Sequence, residues 1–398
     1  MLVVGASVAG IRTVQALRQQ GFDGAITMVG EELHHPYDKP PLSKGMLADG
    51  AAETPVPLLT VDELAALDVD LHLGVRAAHL DPSARVVETA DGQRLPYDQL
   101  VIATGVQPRT LPGADGVPGV HTMRTADDVL ALRRQLASRP AVVVVGAGFI
   151  GAEFASAARA SGCPVTIIEA QDVPMAHILG ARVGRLLAEL HAQNGVRLLT
   201  GTRFDHFEAD DTVRGVGLAD GRVEPADLVV VGIGARPATD WLIGSGLPIA
   251  DGVECDEHLR VIGFPDVYAA GDVARWPHAL YSTPLRIEHW TNANEHGAHV
   301  AASITGAPLP RPQVPYVWSD QYGHRIQIVG RPADGDLAYC SGTAADKLTA
   351  VYTDPLGRIV GAVVVDNPRT LMKIRRGIAA GAALADLALT PPDALTGR

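Results

Sequence analysis

Apolar runs separated by glycine-containing breaks recur along the whole chain. The first, opening at Val3 in VVGASVAG, passes through a glycine turn into apolar positions at helical spacing from near Val8, which predicts a strand, a tight turn and a helix. ITMVG at 26–30 supplies the next strand. The same order returns at VVVV, residues 142–145, with a second glycine turn, the helical stretch AEFASAARA that breaks at Ser161-Gly162, and a strand VTIIE that closes at Glu169. Two strand-helix-strand units in one chain predict two nucleotide sites. The segments YDQLVIATGVQPR and ADLVVVGIGARP read as crossover strands returning from one unit towards the other. Beyond Pro310-Arg311-Pro312 the pattern changes to the alternating runs RIQIVG, KLTAVYTD and RIVGAVVVD, followed by a helix from about Pro368, which predicts a small α+β domain.

The two glycine turns carry the chemistry. A dinucleotide fingerprint needs glycines for the tight turn, for close approach of the pyrophosphate and for helix packing, and an acidic residue at the end of the next strand for the ribose. The second copy has all of these, in Gly146, Gly148, Gly151 and Glu169, with Ile150 inside the turn and Gly234 in the returning segment beside it. A carboxylate at Glu169 accepts hydrogen bonds from a free ribose 2'-hydroxyl and repels a 2'-phosphate, and AQDVPMAHILGA after it contains no arginine, so NAD is expected over NADP. In the first copy Ser7 stands between Gly5 and Gly10, where the fingerprint has its middle glycine. A serine is small and offers a hydroxyl to a phosphate oxygen, so the site is narrowed and kept; the other reading is a decayed site in which a Cβ presses on the pyrophosphate. Glu31 or its neighbour Glu32 takes the ribose there. Asp272, after the apolar run and glycine of FPDVYAAGDVA, is placed to hold sugar hydroxyls of an extended cofactor.

Composition narrows the classes. The chain has 398 residues, 47% hydrophobic and 20% charged, enough for two or three ordinary globular domains. Its net charge of -12 argues against a nucleic-acid partner. No apolar run reaches the ~20 residues of a membrane span, and Met1 leads straight into the first strand, so a cytoplasmic protein without a leader is expected. Cys163, Cys255 and Cys340 are scattered and form no C-x-x-C, which excludes a dithiol redox motif or zinc ribbon. His34-His35 and the other histidines show no metal spacing.

HPYDKPPLSKGML at 35–47, GAEFA at 151–155, VYAAGDVA at 267–274, RIEHWTNANEHG at 286–297 and YVWSDQYG at 316–323 together resemble the NADH-dependent ferredoxin reductases, the putidaredoxin reductase-like FAD flavoproteins of cytochrome P450 and ring-hydroxylating dioxygenase systems. The resemblance runs from residue 3 to about residue 376. It implies a glutathione-reductase-like α/β architecture with two Rossmann-like dinucleotide-binding domains and a C-terminal α+β domain. The corresponding boundaries are 1–108 with 237–312 for FAD, 109–236 for NAD and 313–398 for the C-terminal domain. It implies that Ala9, Glu31, Lys44, Ala77, Arg124, Asp272 and Trp290 contact FAD, several through backbone atoms, beside Gly5, Ser7, Gly10, Thr104 and Gly105. Arg124 in MRTADD also reads as a surface charge flanking a helix. This chain departs from the family at Lys39, where arginine is usual, at Val173 and His177, near which arginines are common, and at Ser7.

The implied reaction passes electrons from NADH through the flavin to a small iron-sulfur ferredoxin, and from there to an oxygenase. Lys44, on a turn stiffened by two prolines, is expected at the flavin, with Glu153 facing it across a domain boundary and holding it. Glu153 lies amid the apolar stretch GFIGAEFA, against a solvent-facing reading. Trp318 is implied at the flavin on the ferredoxin side; simple packing is its other reading. His289 invites a general-base role, but packing is commoner for such a histidine. Lys373, Arg375 and Arg376, with Arg311, form a candidate docking patch for an acidic ferredoxin, against an ordinary solvated helix face. Disulfide reductases of this architecture need paired cysteines beside the flavin, and KPPLSKGMLADG has none. Rubredoxin reduction, or a sensor resembling apoptosis-inducing factor, are the alternatives.

Overall fold

A strand buried on both faces must be apolar throughout, and Leu2–Val4 is such a strand, at the centre of a five-stranded parallel sheet. The sheet runs Val267–Ala269, Leu100–Ile102, Leu2–Val4, Ile26–Gly30 and Val69–Leu73, with Val3 in register with both Met28 and Val101. In the computed structural model, which describes residues 1–281, 283–387 and 389, this sheet belongs to the first of two units, made of Met1–Pro40, Thr54–Gln107 and Ala235–Gln313. The helix Val8–Gln19 packs against the helix Trp290–Thr305. Gly297 makes that approach possible, since a Cβ there would lie 2.5 Å from the Arg12 Cβ and 2.7 Å from the Thr13 nitrogen.

The second unit comprises Pro41–Glu53, Pro108–Gly234 and Val314–Arg398. Its parallel sheet repeats the plan in the order Arg197–Leu199, Val165–Ile168, Val142–Val145, Leu228–Val231, Val120–His121. The alternating runs near the C-terminus form an antiparallel sheet ordered Tyr316–Gln321, His324–Gly330, Ile359–Val365, Asp346–Thr353, Asp336–Thr343. The helix Ala176–Gln193 buries Leu179, Val183 and Leu187 against one set of its side chains, including Ile328, Val363 and Val365. The helix Pro368–Ala379, capped by Asn367, buries Leu371 and Ile374 against others, including Val329, Val351 and Val364.

The segment Pro41–Glu53 groups with the second unit, although the sequence gives no break between it and the first strand-helix-strand unit. The guanidinium of Arg133 explains part of this, donating to the Ala51 and Ala52 carbonyls at 2.9 Å each. That arginine sits on the helix Ala126–Leu136, whose start is fixed by a capping box between Thr125 and Asp128.

Candidate functional site

Parallel strands that end at Val4, Gly30, Ile102 and Ala269 place the loops opening at Gly5, Glu31, Ala103 and Ala270 along one edge of the first sheet, the edge at which such sheets take ligands. Gly5 has φ +120° and its missing Cβ would lie 2.2 Å from the Ala103 carbonyl oxygen; a Cβ on Gly10 would lie 2.0 Å from the Gly5 oxygen. Those two glycines are demanded by the protein itself. Ser7 differs: it is the extended N-cap of the helix Val8–Gln19, and its side chain makes no capping hydrogen bond. At the equivalent Gly148 a Cβ would meet nothing nearer than the Gly232 oxygen at 3.9 Å. The middle position of the second cradle has room for a Cβ, and the first cradle carries a serine there. No acidic residue in the first helical turn opposes the positive end of the helix dipole.

The rest of this edge is held by short contacts. Gly271, at φ +77°, would place a Cβ 2.9 Å from that of Ala9, so the turn carrying Asp272 packs on the first helix. Its N–H donates to Nδ1 of the buried His296 at 3.1 Å. Thr104 Oγ1 donates to the Ala238 carbonyl at 2.9 Å, and Gly105 takes a left-handed φ of +68°. The indole N–H of Trp290 donates to Asp38 at 2.6 Å. Burial raises the Asp38 pKa, and that bond partly offsets the rise. Glu32 is engaged by the Tyr37 hydroxyl and the Lys39 ammonium, while Glu31 stands exposed, 3.7 Å from Arg76. Ala77 opens a strand of a separate three-stranded sheet. Arg124, in the second unit, precedes the N-cap Thr125, and its backbone N–H donates to Asp128 at 2.9 Å.

The second cradle is built the same way within the second unit. Gly146 (φ +105°) and Gly151 would place Cβ atoms 2.4 Å from the Gly232 oxygen and 2.1 Å from the Gly146 oxygen. Glu169 turns back to this turn, accepting from the Ala147 N–H at 2.8 Å with one oxygen and from the Gln171 N–H at 2.8 Å with the other. Gly234 takes φ +94°, and its carbonyl accepts the Arg109 N–H at 2.9 Å. Ile150 is partly exposed in the first helical turn.

Glu153, on the helix Phe149–Ala160, is only 3% exposed, and it is met by Lys44 Nζ at 2.8 Å. Both belong to the second unit, so the pair lies inside one unit and not across a boundary as its sequence positions suggest; the reason is the docking of Pro41–Glu53 described above. Ser43 also donates to Glu153 Oε2, and Ser319 donates to Oε1 at 2.7 Å. Trp318, on the same strand as Ser319, stacks on Tyr316 with ring centroids 5.8 Å apart, and the Arg375 guanidinium lies 5.6 Å from the Tyr316 ring. His289 is the N-cap of its helix, and burial lowers its pKa to about 4, so it stays neutral. No cluster of His, Cys, Asp or Glu suited to a metal occurs among the described residues.

A family model described as pyridine nucleotide-disulphide oxidoreductase matches residues 1–297, and a second, described as reductase C-terminal, matches residues 316–395. This chain belongs to the pyridine nucleotide-disulphide oxidoreductase family. Among its relatives, the ferredoxin reductase component of chlorobenzene dioxygenase from Cupriavidus sp. (strain PS12) is 38% identical over 385 residues, 96% of this chain and 93% of that protein. The ferredoxin--NAD(+) reductase component of the p-cumate 2,3-dioxygenase system from Pseudomonas putida is 35% identical over 379 residues, 95% and 92% of the two chains. A chain in the crystal structure of the covalent putidaredoxin reductase-putidaredoxin complex superposes with a TM-score of 0.91 at 32% identity, covering 95% of this chain and 92% of that one.

Within this oxidoreductase the three cysteines are free and buried, and none lies in the segment Pro41–Glu53 that bears Lys44. Sequence reasoning did not single out Ser43, Ser319, Gln321 or Asp38. Ser43, Ser319 and Gln321 stand inside the quoted PPLSK and WSDQYG stretches beside Lys44 and Trp318, which is the one signal that could have raised them.

Proposed function

We propose that this chain is an FAD-containing reductase that oxidises NADH and passes the electrons to a small iron-sulfur ferredoxin serving an oxygenase, of the cytochrome P450 or ring-hydroxylating type. The observation that carries the reading is a pair of glycine cradles, each followed by an acidic strand end, together with the buried Glu153 paired to Lys44, which stands in a segment that has no cysteine. The first cradle fits FAD: Ser7 stands at a helix N-terminus with its hydroxyl unused in capping and no acidic residue in the first turn, where a pyrophosphate binds. When bound, FAD supplies the conversion between a two-electron donor, NADH, and a one-electron iron-sulfur acceptor.

The residues then divide the work. Gly5, Ser7, Ala9 and Gly10 hold the FAD pyrophosphate, and Glu31 takes its ribose, because Glu32 is already committed to Tyr37 and Lys39. Asp272, Trp290, Thr104, Gly105, Ala77 and Arg124 complete the FAD contacts. Gly146, Gly148, Ile150, Gly151 and Gly234 receive NADH, and Glu169 selects the free 2'-hydroxyl. Glu153 fixes the Lys44 ammonium for the flavin. Trp318 and Tyr316, with Arg375 over the stack, line the side that meets the ferredoxin. Lys373, Arg375 and Arg376 offer positive charge to an acidic partner from a chain whose overall charge is negative; Arg311 belongs to the first unit. No helix among the described residues is long and apolar enough to cross a membrane, and the free thiols accord with a cytoplasmic site of action.

The test is anaerobic mixing of the purified protein with NADH, then with a panel of ferredoxins. Rapid cytochrome c reduction only in the presence of a ferredoxin supports the reductase. Slow, ferredoxin-independent reduction with dimerisation on NADH addition would overturn it in favour of a sensor.

A further inference from the structure

The hydrogen bonds around Glu153 extend beyond its lysine. Oε2 receives Ser43 and Lys44, and Oε1 receives the Ser319 hydroxyl at 2.7 Å. Ser319 is fully buried, and its oxygen in turn accepts the Gln321 amide at 2.9 Å. The two residues are two apart on the strand Tyr316–Gln321 and so share one face, with Trp318 on the other. A hydroxyl has a single hydrogen to give. The Gln321 donor occupies the Ser319 oxygen, so that hydrogen is directed to the carboxylate.

Lys44 is 20% exposed on its side chain, so its ammonium can reach water whenever the carboxylate turns away. With Oε2 tied to the loop and Oε1 to the strand, the Glu153 carboxylate plane is fixed at both ends. Without the strand contact it can turn about the loop contacts alone, and the lysine moves with it.

We propose that Ser319, oriented by Gln321, is a positioning residue for reduction by NADH: it fixes the Glu153 carboxylate and through it the place of the Lys44 ammonium. The inference rests on the reading of Lys44 and Glu153 as the pair that serves the flavin. It assigns no substrate contact to either Ser319 or Gln321.

The experiment compares Ser319→Ala, Gln321→Met, Glu153→Gln and the Ser319→Ala/Glu153→Gln double variant as FAD-loaded proteins. The measurements are the limiting rate of flavin reduction and the apparent NADH dissociation constant in stopped flow, the flavin midpoint potential, and the melting temperature. In Ser319→Ala the limiting rate should fall about tenfold, as for loss of a hydrogen bond to a charged group, with the NADH constant within about twofold and the potential more negative. Gln321→Met should give a smaller fall in the same direction, and it stands in if Ser319→Ala does not fold. In the Glu153→Gln background the serine substitution should add nothing, because both changes act through one carboxylate. Independent, multiplying effects, or an unchanged rate and potential in Ser319→Ala, would overturn the proposal. If Glu153→Gln itself leaves rate and potential unchanged, the reading of the Lys44–Glu153 pair is what fails.

Discussion

The indole of Trp290 donates to the Asp38 carboxylate at 2.6 Å, tying the start of the helix Trp290–Thr305 to the loop that follows Glu31. The helix that Trp290 opens packs on Val8–Gln19, the helix of the first cradle. Asp38 is half-buried, and burial raises its pKa; the bond, with the nearby Arg12 charge, offsets part of that rise. Trp290→Phe keeps the aromatic surface and removes the donor. A partly buried charge-assisted bond contributes ~1.5 kcal/mol, so the melting temperature should fall by roughly 2 °C, with FAD released more readily. Flavin-fluorescence melting curves read both effects, and an unchanged curve would show that the contact is dispensable.

Lys44 and Trp318 should separate the two halves of the reaction. Lys44→Ala removes the ammonium and leaves Glu153 bound by Ser43 and Ser319, so the protein should fold and take up FAD while flavin reduction by NADH slows on the order of tenfold to a hundredfold. Trp318→Ala removes the partner stacked on Tyr316. Flavin reduction should then stay within about twofold, and ferredoxin-dependent cytochrome c reduction should fall about tenfold, the size expected of an aromatic anchor in a docking surface. Equal losses in both steps for either variant would remove its separate assignment.

What could be read from the sequence was the part set by local geometry. A β-branched run before a glycine turn and an alanine-rich helix has one compact solution, and Leu2–Val4 with Val8–Gln19 and Val142–Val145 with Phe149–Ala160 both adopt it. The burial of Glu153 was legible too, from its apolar neighbours. What the sequence could not carry was long-range pairing. Ser319 and Ser43 meet the same carboxylate from 166 and 110 residues away, and nothing in either segment alone specifies that. The grouping of Pro41–Glu53 with the second unit has the same cause, since it depends on backbone carbonyls meeting Arg133 from a helix far along the chain. The engagement of Glu32 by Tyr37 and Lys39, five and seven residues on, likewise appears only once the loop is folded.

Glu169 gives a test of coenzyme choice at the second cradle alone. Its oxygens accept from the Ala147 and Gln171 N–H groups, and Glu169→Gln retains one such acceptor while removing the negative charge. The turn should keep its shape, and discrimination against the 2'-phosphate should weaken. The ratio of kcat/KM for NADH over NADPH is expected to fall on the order of tenfold, the scale of one charge interaction of ~1.4 kcal/mol. A ratio unchanged from the parent would place the ribose elsewhere.

Acid sensitivity follows from the buried histidines. His296 accepts the Gly271 N–H on Nδ1, which puts its own proton on Nε2, where no partner meets it, and its ring lies edge-on to Trp276 at 5.1 Å. Burial, then His299 and His278, lowers its pKa to about 3, and burial lowers those of His191 and His289 to about 4. Between these values and the ordinary ~6.5 the unfolded chain holds protons that the folded chain refuses. Stability is therefore fully present above that ordinary value and declines as pH falls towards 4, by ~1.4 kcal/mol per pH unit for each histidine, or about 4 for the three together. His296→Gln retains an acceptor for the Gly271 N–H but cannot titrate. Urea unfolding at a series of pH values between 7.5 and 4.5 should show its slope reduced by about one proton relative to the parent. An identical slope in the two proteins would mean that His296 does not take up its proton on unfolding in this range.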